Sequence, residues 1–239
     1  MKIISWNCNG AFRNKYEALN QQNADLLVIA ESESPEYLHQ RQNTIPAESH
    51  LWCGTRSCKG LSLFSKNGFH IKKAAFFNPA FRHVLPATIT TPNGKEFLLI
   101  GVWASTVQEN HEWDYIGQMC VFMESFQHLF PEKTILIGDL NSNMQWNSYY
   151  KKEHNFSHFL ELMQKSGFIS LYHHFSGDAQ GHEKLPTSYY HRDPQRGFHI
   201  DYAFSSQTFL KDIEDFHIET SLDWLNFSDH LPLFLQLKD

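Results

Sequence analysis

No window of the 239-residue chain approaches the ~18 consecutive apolar residues that a membrane-spanning helix needs, so none is predicted. Basic excess is missing too. Lys and Arg number 20 against 26 Asp and Glu, for a formal net charge of −6. That balance argues against a protein holding nucleic acid by bulk positive charge, which requires many Lys/Arg–phosphate contacts. It leaves open an enzyme whose acidic pocket is neutralised by a metal ion. Cysteine is sparse: only Cys8, Cys53, Cys58 and Cys120 occur. The gap from Cys53 to Cys58 is not the short spacing of a zinc knuckle. The opening stretch MKIISWNCNG has neither the apolar run nor the small-residue cleavage site of an export signal, and it reads as a strand. The thiols are therefore expected to be buried and reduced, in a cytoplasmic protein. With no linker, repeat or low-complexity tract, residues 1–239 are expected to form a single domain, and the protein a monomer.

What is present is an ordinary globular composition, 41% hydrophobic and 19% charged, with twenty phenylalanines to fill a core. Short apolar runs rich in β-branched residues recur: KIISW, DLLVIA, GLSLF, HVLPATIT, FLLIGVW, TILIGD and HIDYAF. Asn93-Gly94, between two of them, is a hairpin signal. From Glu109 to Phe130, residues Trp113, Ile116, Cys120, Met123, Phe126 and Phe130 form one stripe at helical spacing. In NFSHFLELMQKSG, Phe156, Phe159, Leu160 and Met163 form another, stopped at Gly167. Both stripes are core-facing. Many strands with a few helices predict an α/β protein in which two packed mixed sheets are flanked by helices.

Polar residues gather where the predicted strands end. Asn7 follows KIISW, Glu31 follows DLLVIA, and Asp139 and Asn141 follow TILIG. Asp201 sits in HIDYAF, and Asp229-His230 precedes LPLFLQL. One carboxylate at a strand end usually caps a helix or a turn. Several together point to a site, because layered α/β folds assemble their sites at strand ends and the loops that follow. Hard cations such as Mg²⁺ take one or two carboxylate oxygens together with water and substrate phosphate, and Glu31 offers one such carboxylate.

In order along the chain, SWNCNG, DLLVIAE, IGDLNSN, HIDYAF and SDHLPL resemble the motifs of the endonuclease/exonuclease/phosphatase superfamily. This group includes exonuclease III-type abasic-site endonucleases, pancreatic-type deoxyribonucleases, inositol-polyphosphate phosphatases and neutral sphingomyelinases. The resemblance runs from residue 2 to about residue 234. It implies a four-layer α-β-β-α sandwich and phosphoester hydrolysis dependent on Mg²⁺ or Mn²⁺. Residue by residue, it implies that Glu31 is the principal metal ligand with Asn7 beside it, and that Asp229 helps to place the metal or its water. It makes Asp139 the group that orients or deprotonates the attacking water and Asn141 the amide that holds a phosphate oxygen. Asp201 becomes the acid bonded to a catalytic His230.

The sequence departs from the pattern in three places. Asn9 stands where many relatives have an aspartate. Trp103, in FLLIGVWAST, stands where relatives carry a histidine or a tyrosine; an indole N–H is no general acid, so Trp103 is expected to be a wall or a stacking platform, or else plain core. The third departure is the insert from Tyr172 to Phe198, rich in His, Tyr and Gly. It reads either as a surface hairpin or as a substrate loop, with Arg192 and Arg196 near phosphate and Tyr189 or Tyr190 as a stacking face. Its histidines are too irregularly spaced to suggest zinc. The expected activity is cleavage of nucleic-acid phosphodiesters. A phosphatase acting on a small or lipid-derived phosphate, or a silent binding module, remains the alternative.

Overall fold

The structure, a computed structural model, describes residues 1–107 and 111–238. Its strands are β1 (Lys2–Asn7), β2 (Leu26–Ser32), β3 (Ser49–Arg56), β4 (Lys59–Ser65), β5 (His70–Lys73), β6 (Val84–Thr90) and β7 (Glu96–Trp103). They continue as β8 (Thr134–Asp139), β9 (Phe168–Ser170), β10 (Ser188–Tyr189), β11 (Gly197–Phe198), β12 (Asp201–Ser206), β13 (Ile213–Ile218) and β14 (Leu233–Leu237). The helices are α1 (Tyr16–Asn20), α2 (Pro35–Gln40), α3 (Ile116–Phe126), α4 (Phe156–Lys165), α5 (Leu171–Ser176) and α6 (Gln207–Leu210).

Two six-stranded mixed sheets result, ordered β13-β14-β1-β2-β4-β3 and β5-β6-β7-β8-β12-β9. The pairs β1–β2 and β7–β8 are parallel and the remaining neighbours antiparallel. Alternation along the strands divides the apolar residues between two cores. Leu99, Ile135, Ile137 and Ala203 pack with Val28, Leu61 and Leu63 of the other sheet. Leu98, Ile100, Val102, Leu136, Tyr202 and Phe204 face the opposite way, onto α3 and α4. The α/β sandwich expected from the sequence is the architecture found.

All seven apolar runs are strands, and Asn93-Gly94 lies in the β6–β7 hairpin. In α4, Asn155 caps the start by accepting from the His158 N–H at 2.9 Å, and Gly167 follows at φ +73°. The stripe from Glu109 to Phe130 is shorter than its periodicity predicts. A 3₁₀ turn covers His111–Trp113, Tyr115 takes a left-handed φ of +51°, and the α-helix begins only at Ile116. Glu109 lies outside the described residues. Among the cysteines Cys8, Cys53 and Cys120 are buried, but Cys58 is exposed in the β3–β4 turn, contrary to expectation. No helix among the described residues is long and apolar enough to cross a membrane.

Candidate active site

The site is built where strands from both sheets end. Antiparallel β8 and β12 are in register with Asp139 directly opposite Asp201, and parallel β7 places Trp103 beside Asp139. In the other sheet Asn7 ends β1, paired with Ala30 of β2, the residue before Glu31. Two backbone features set this end of the sheets. Gly138 takes φ +145°, and a Cβ there would lie 2.0 Å from the Val102 carbonyl oxygen, so only glycine fits immediately before Asp139. Glu31 is the extra residue where the β2–β4 register shifts between Ala30 and Ser32, and it holds φ +63°. A non-glycine residue in that conformation costs on the order of 1–3 kcal/mol and marks a position determined by its surroundings.

Asp139 is buried and well supplied with donors. Its Oδ1 accepts from the Asn141 N–H at 2.8 Å, and its Oδ2 accepts from Asn7 Nδ2 at 2.9 Å and Asn141 Nδ2 at 3.0 Å. Asn141, at φ +47°, also donates to the Ala104 carbonyl at 2.9 Å. Asn7 Nδ2 lies 3.4 Å from Glu31 Oε1, so the one amide spans the two acids. His230 Nδ1 is 2.8 Å from Asp201 Oδ2, while its Nε2 is 4.0 Å from Asp139 Oδ2. Ser228 secures the histidine loop: its hydroxyl donates to the Asn7 carbonyl at 2.7 Å and accepts from the His230 N–H at 3.1 Å. Trp6 Nε1 donates to the His230 carbonyl at 2.9 Å.

The electrostatics follow from two buried acids around one imidazole. Burial by itself lowers the His230 pKa, but the carboxylates of Asp201 and Asp139 outweigh it and raise it to about 10, so the ring is held as an imidazolium. Burial, with the Asp201 charge next to it, raises Asp139 to about 7, against the opposing pull of His230. A carboxylate tuned toward neutrality and a fixed imidazolium 4.0 Å away suit proton abstraction on one side and anion stabilisation on the other.

Among the described residues, Asp139, Asp201 and His230 form the one acidic or imidazole triad whose ligating atoms all lie within 4.8 Å of one another. Glu31 stands outside this triad, joined to it through Asn7, with its Oε2 2.8 Å from Lys59 Nζ. The half-buried Asp229 is also outside; its carbonyl accepts from the Tyr189 N–H at 2.7 Å, and its Oδ1 lies 3.4 Å from the Ser228 hydroxyl, whose proton goes to the Asn7 carbonyl. The donors gathered here, carboxylate oxygens with an amide between them, have the hard-oxygen chemistry that suits Mg²⁺ or Mn²⁺ and does not suit a soft metal.

Trp103 is 9% exposed and lies between other side chains. His83 stacks on its ring with centroids 4.2 Å apart, and Lys59 Nζ lies 5.4 Å from the ring centroid. In the insert, β10 and β11 form a short antiparallel pair, and Ser188 bridges to His230, which brings the insert against the site. Tyr190 is exposed with Arg196 stacked over it at 4.2 Å, and Arg192 donates to the carbonyls of Asn226 and Phe227 at 3.3 and 3.4 Å. None of these three makes a hydrogen bond to the triad. Thr187 escaped the sequence reading altogether. Fully buried, its hydroxyl donates to Asp201 Oδ2 at 2.7 Å and accepts from the N–H groups of Ile200 and Asp201 at 3.0 and 2.9 Å. A cavity of about 400 Å³ lies at the opposite ends of the strands, lined by Phe97, Lys133 and Phe209 among others, and shares no residue with this site.

At the level of sequence, no family profile and no curated protein matches the chain. Solved structures do match its shape. The AP endonuclease LMAP from Leishmania major superposes with a TM-score of 0.73 at 15% identity, over 100% of this chain and 87% of its own. The 3'-5' exonuclease NExo from Neisseria meningitidis does so with a TM-score of 0.69 at 16% identity, over the whole of both chains. A 3' phosphatase NExo from Neisseria, bound to product DNA hairpin, gives 0.70 at 17% identity, again over 100% of both. What these structures share with the chain is its fold, two packed mixed sheets flanked by helices, over its whole length.

Proposed function

We propose that the protein is a divalent-metal-dependent phosphoesterase that hydrolyses nucleic-acid phosphodiesters, with the whole chain acting as one catalytic domain. The observation that carries this reading is the convergence of Asn7, Glu31, Asp139, Asn141, Asp201 and His230 at one end of the paired sheets. The fold is shared with proteins described as an AP endonuclease and a 3'-5' exonuclease, and with one bound to a DNA hairpin, which supports nucleic acid as the substrate.

In this reading Glu31, with Asn7 and Asp229, holds Mg²⁺ or Mn²⁺. The bound ion supplies Lewis-acid neutralisation of phosphate charge. Asp139 takes the proton of the attacking water, a task suited to a carboxylate raised to about 7. Asn141, whose two amide N–H groups are given to Asp139 and the Ala104 carbonyl, would turn one of them to a phosphate oxygen when substrate binds, and the His230 imidazolium donates from Nε2 to another as negative charge grows. Asp201 keeps Nδ1 occupied and the ring protonated, and Thr187 fixes Asp201. Trp103 walls the site but has no proton to give, and Tyr190, Arg192 and Arg196 line its approach from the insert.

The test is a metal-dependence screen of purified protein against single- and double-stranded DNA, abasic duplex, RNA and phosphomonoesters, with Glu31→Gln alongside. Cleavage that requires Mg²⁺ or Mn²⁺ and collapses in the variant is expected. Full activity in excess chelator would refute it. Turnover of phosphomonoesters with none of any polynucleotide would move the assignment to a small-molecule phosphatase.

A further inference from the structure

Lys59 opens β4 and meets Glu31 across the register shift of β2 and β4, its Nζ 2.8 Å from Glu31 Oε2. Its side chain remains 44% exposed while that of Glu31 is 14% exposed, so the ammonium stands on the open side of the carboxylate. An ammonium has three donors, and this pairing engages one. The Trp103 ring provides a second attraction, 5.4 Å from its centroid. Three cations nearby have other hydrogen-bond partners. Lys15 donates to the carbonyls of Cys8 and Asn9, Arg13 pairs with Glu33, and Arg192 donates to the carbonyls of Asn226 and Phe227. Lys59 thus makes a direct ion pair with a carboxylate of the site.

We propose that Lys59 is a substrate-contacting residue, whose ammonium, held between Glu31 and the Trp103 face, donates to a phosphate oxygen on the side of the site where Trp103 offers no proton. The proposal rests on the phosphoesterase reading and adds to it the group that neutralises charge on that side. It carries a signature that a structural lysine would not produce. A positive charge beside Glu31 repels a divalent cation and attracts a phosphate. Removing it must therefore change the two affinities in opposite directions.

The experiment measures two dissociation constants on wild type, Lys59→Met and Lys59→Arg: that of Mn²⁺ alone, by electron paramagnetic resonance, and that of inorganic phosphate for the Mn²⁺-loaded protein, by calorimetry. Far-UV circular dichroism checks that each variant is folded, which the exposure of Lys59 favours. Lys59→Met should bind Mn²⁺ about tenfold tighter, the scale of one unit charge acting through a largely aqueous medium. It should bind phosphate about ten- to a hundredfold more weakly, as expected for the loss of one charge-assisted hydrogen bond. Lys59→Arg should keep phosphate affinity within a few-fold of wild type, since it keeps the charge. Phosphate affinity that does not fall in Lys59→Met, or Mn²⁺ binding that does not tighten, overturns the proposal. If wild type binds Mn²⁺ and cleaves a phosphoester while Lys59→Met matches it in both constants, Lys59 fails alone. If wild type neither binds Mn²⁺ nor cleaves any phosphoester, the functional reading fails and takes the proposal with it.

Discussion

Replacing Thr187 by valine tests whether this threonine is the anchor of the acid–histidine pair. Valine matches threonine in shape, so no cavity opens and the change is confined to one hydroxyl. That hydroxyl makes three buried contacts: it donates to Asp201 Oδ2 at 2.7 Å and accepts from the N–H groups of Ile200 and Asp201 at 3.0 and 2.9 Å. Leaving each buried N–H without an acceptor costs about 1 kcal/mol or more, and losing a bond to a charged carboxylate costs about 1.5–3 kcal/mol. The sum is about 4 kcal/mol, a large share of the ~5–15 kcal/mol that stabilises a typical domain. Thr187→Ser is the control, since it keeps the hydroxyl and sheds one methyl at about 1 kcal/mol. Urea unfolding followed by circular dichroism gives both values. Thr187→Val should lie at least about 2 kcal/mol below Thr187→Ser. Equal stabilities within about 0.5 kcal/mol would show that Asp201 and the two N–H groups find other partners, and the anchoring argument would fail.

Three further outcomes follow from the same structure. Gly138→Ala forces a Cβ to within 2.0 Å of the Val102 carbonyl oxygen, so β7 and β8 must separate; a loss of at least about 3 kcal/mol in urea unfolding is expected, and a loss below about 1 kcal/mol would contradict the φ of +145°. Burial, aided by Arg82 and Lys59, lowers the His83 pKa to about 4, so between that value and the unfolded value near 6.5 only the unfolded chain takes up the proton. Stability therefore falls as pH drops through this window, and wild type should lose about 2 kcal/mol at this residue between about pH 7.5 and pH 5 that His83→Gln does not lose; parallel pH–stability curves would refute it. Asp201→Ala, His230→Ala and the double variant should lose similar amounts of activity because the pair acts as one unit at 2.8 Å, whereas additive losses in a double-mutant cycle would separate them.

The residues of the site were visible in the sequence because the strands that carry them were. Runs such as TILIGD and HIDYAF announce strands through apolar, β-branched composition alone, and an acid at the end of such a run stands out against it. Helix α4 was legible for the same local reason, through its apolar stripe and its Gly167 stop. The edge strands β3, β5, β9 and β13 were not legible, since their sequences are mixed and pairing holds them in place.

By itself the sequence determined which segments become the inner strands and which acids, amides and histidine stand at their ends. Those properties depend on composition and on a period of two residues, which are local. Only the tertiary structure decided that Asp139 faces Asp201, that Glu31 sits on a left-handed bulge beside Lys59, and that Thr187 reaches Asp201 from an insert that reads as a loop. It also decided that Trp103 lies under His83 instead of offering both faces of its ring. These are matters of register and of contact between residues far apart in the chain. They are settled by the burial of two sheets against each other, and a local pattern carries no record of which distant strand will become its neighbour.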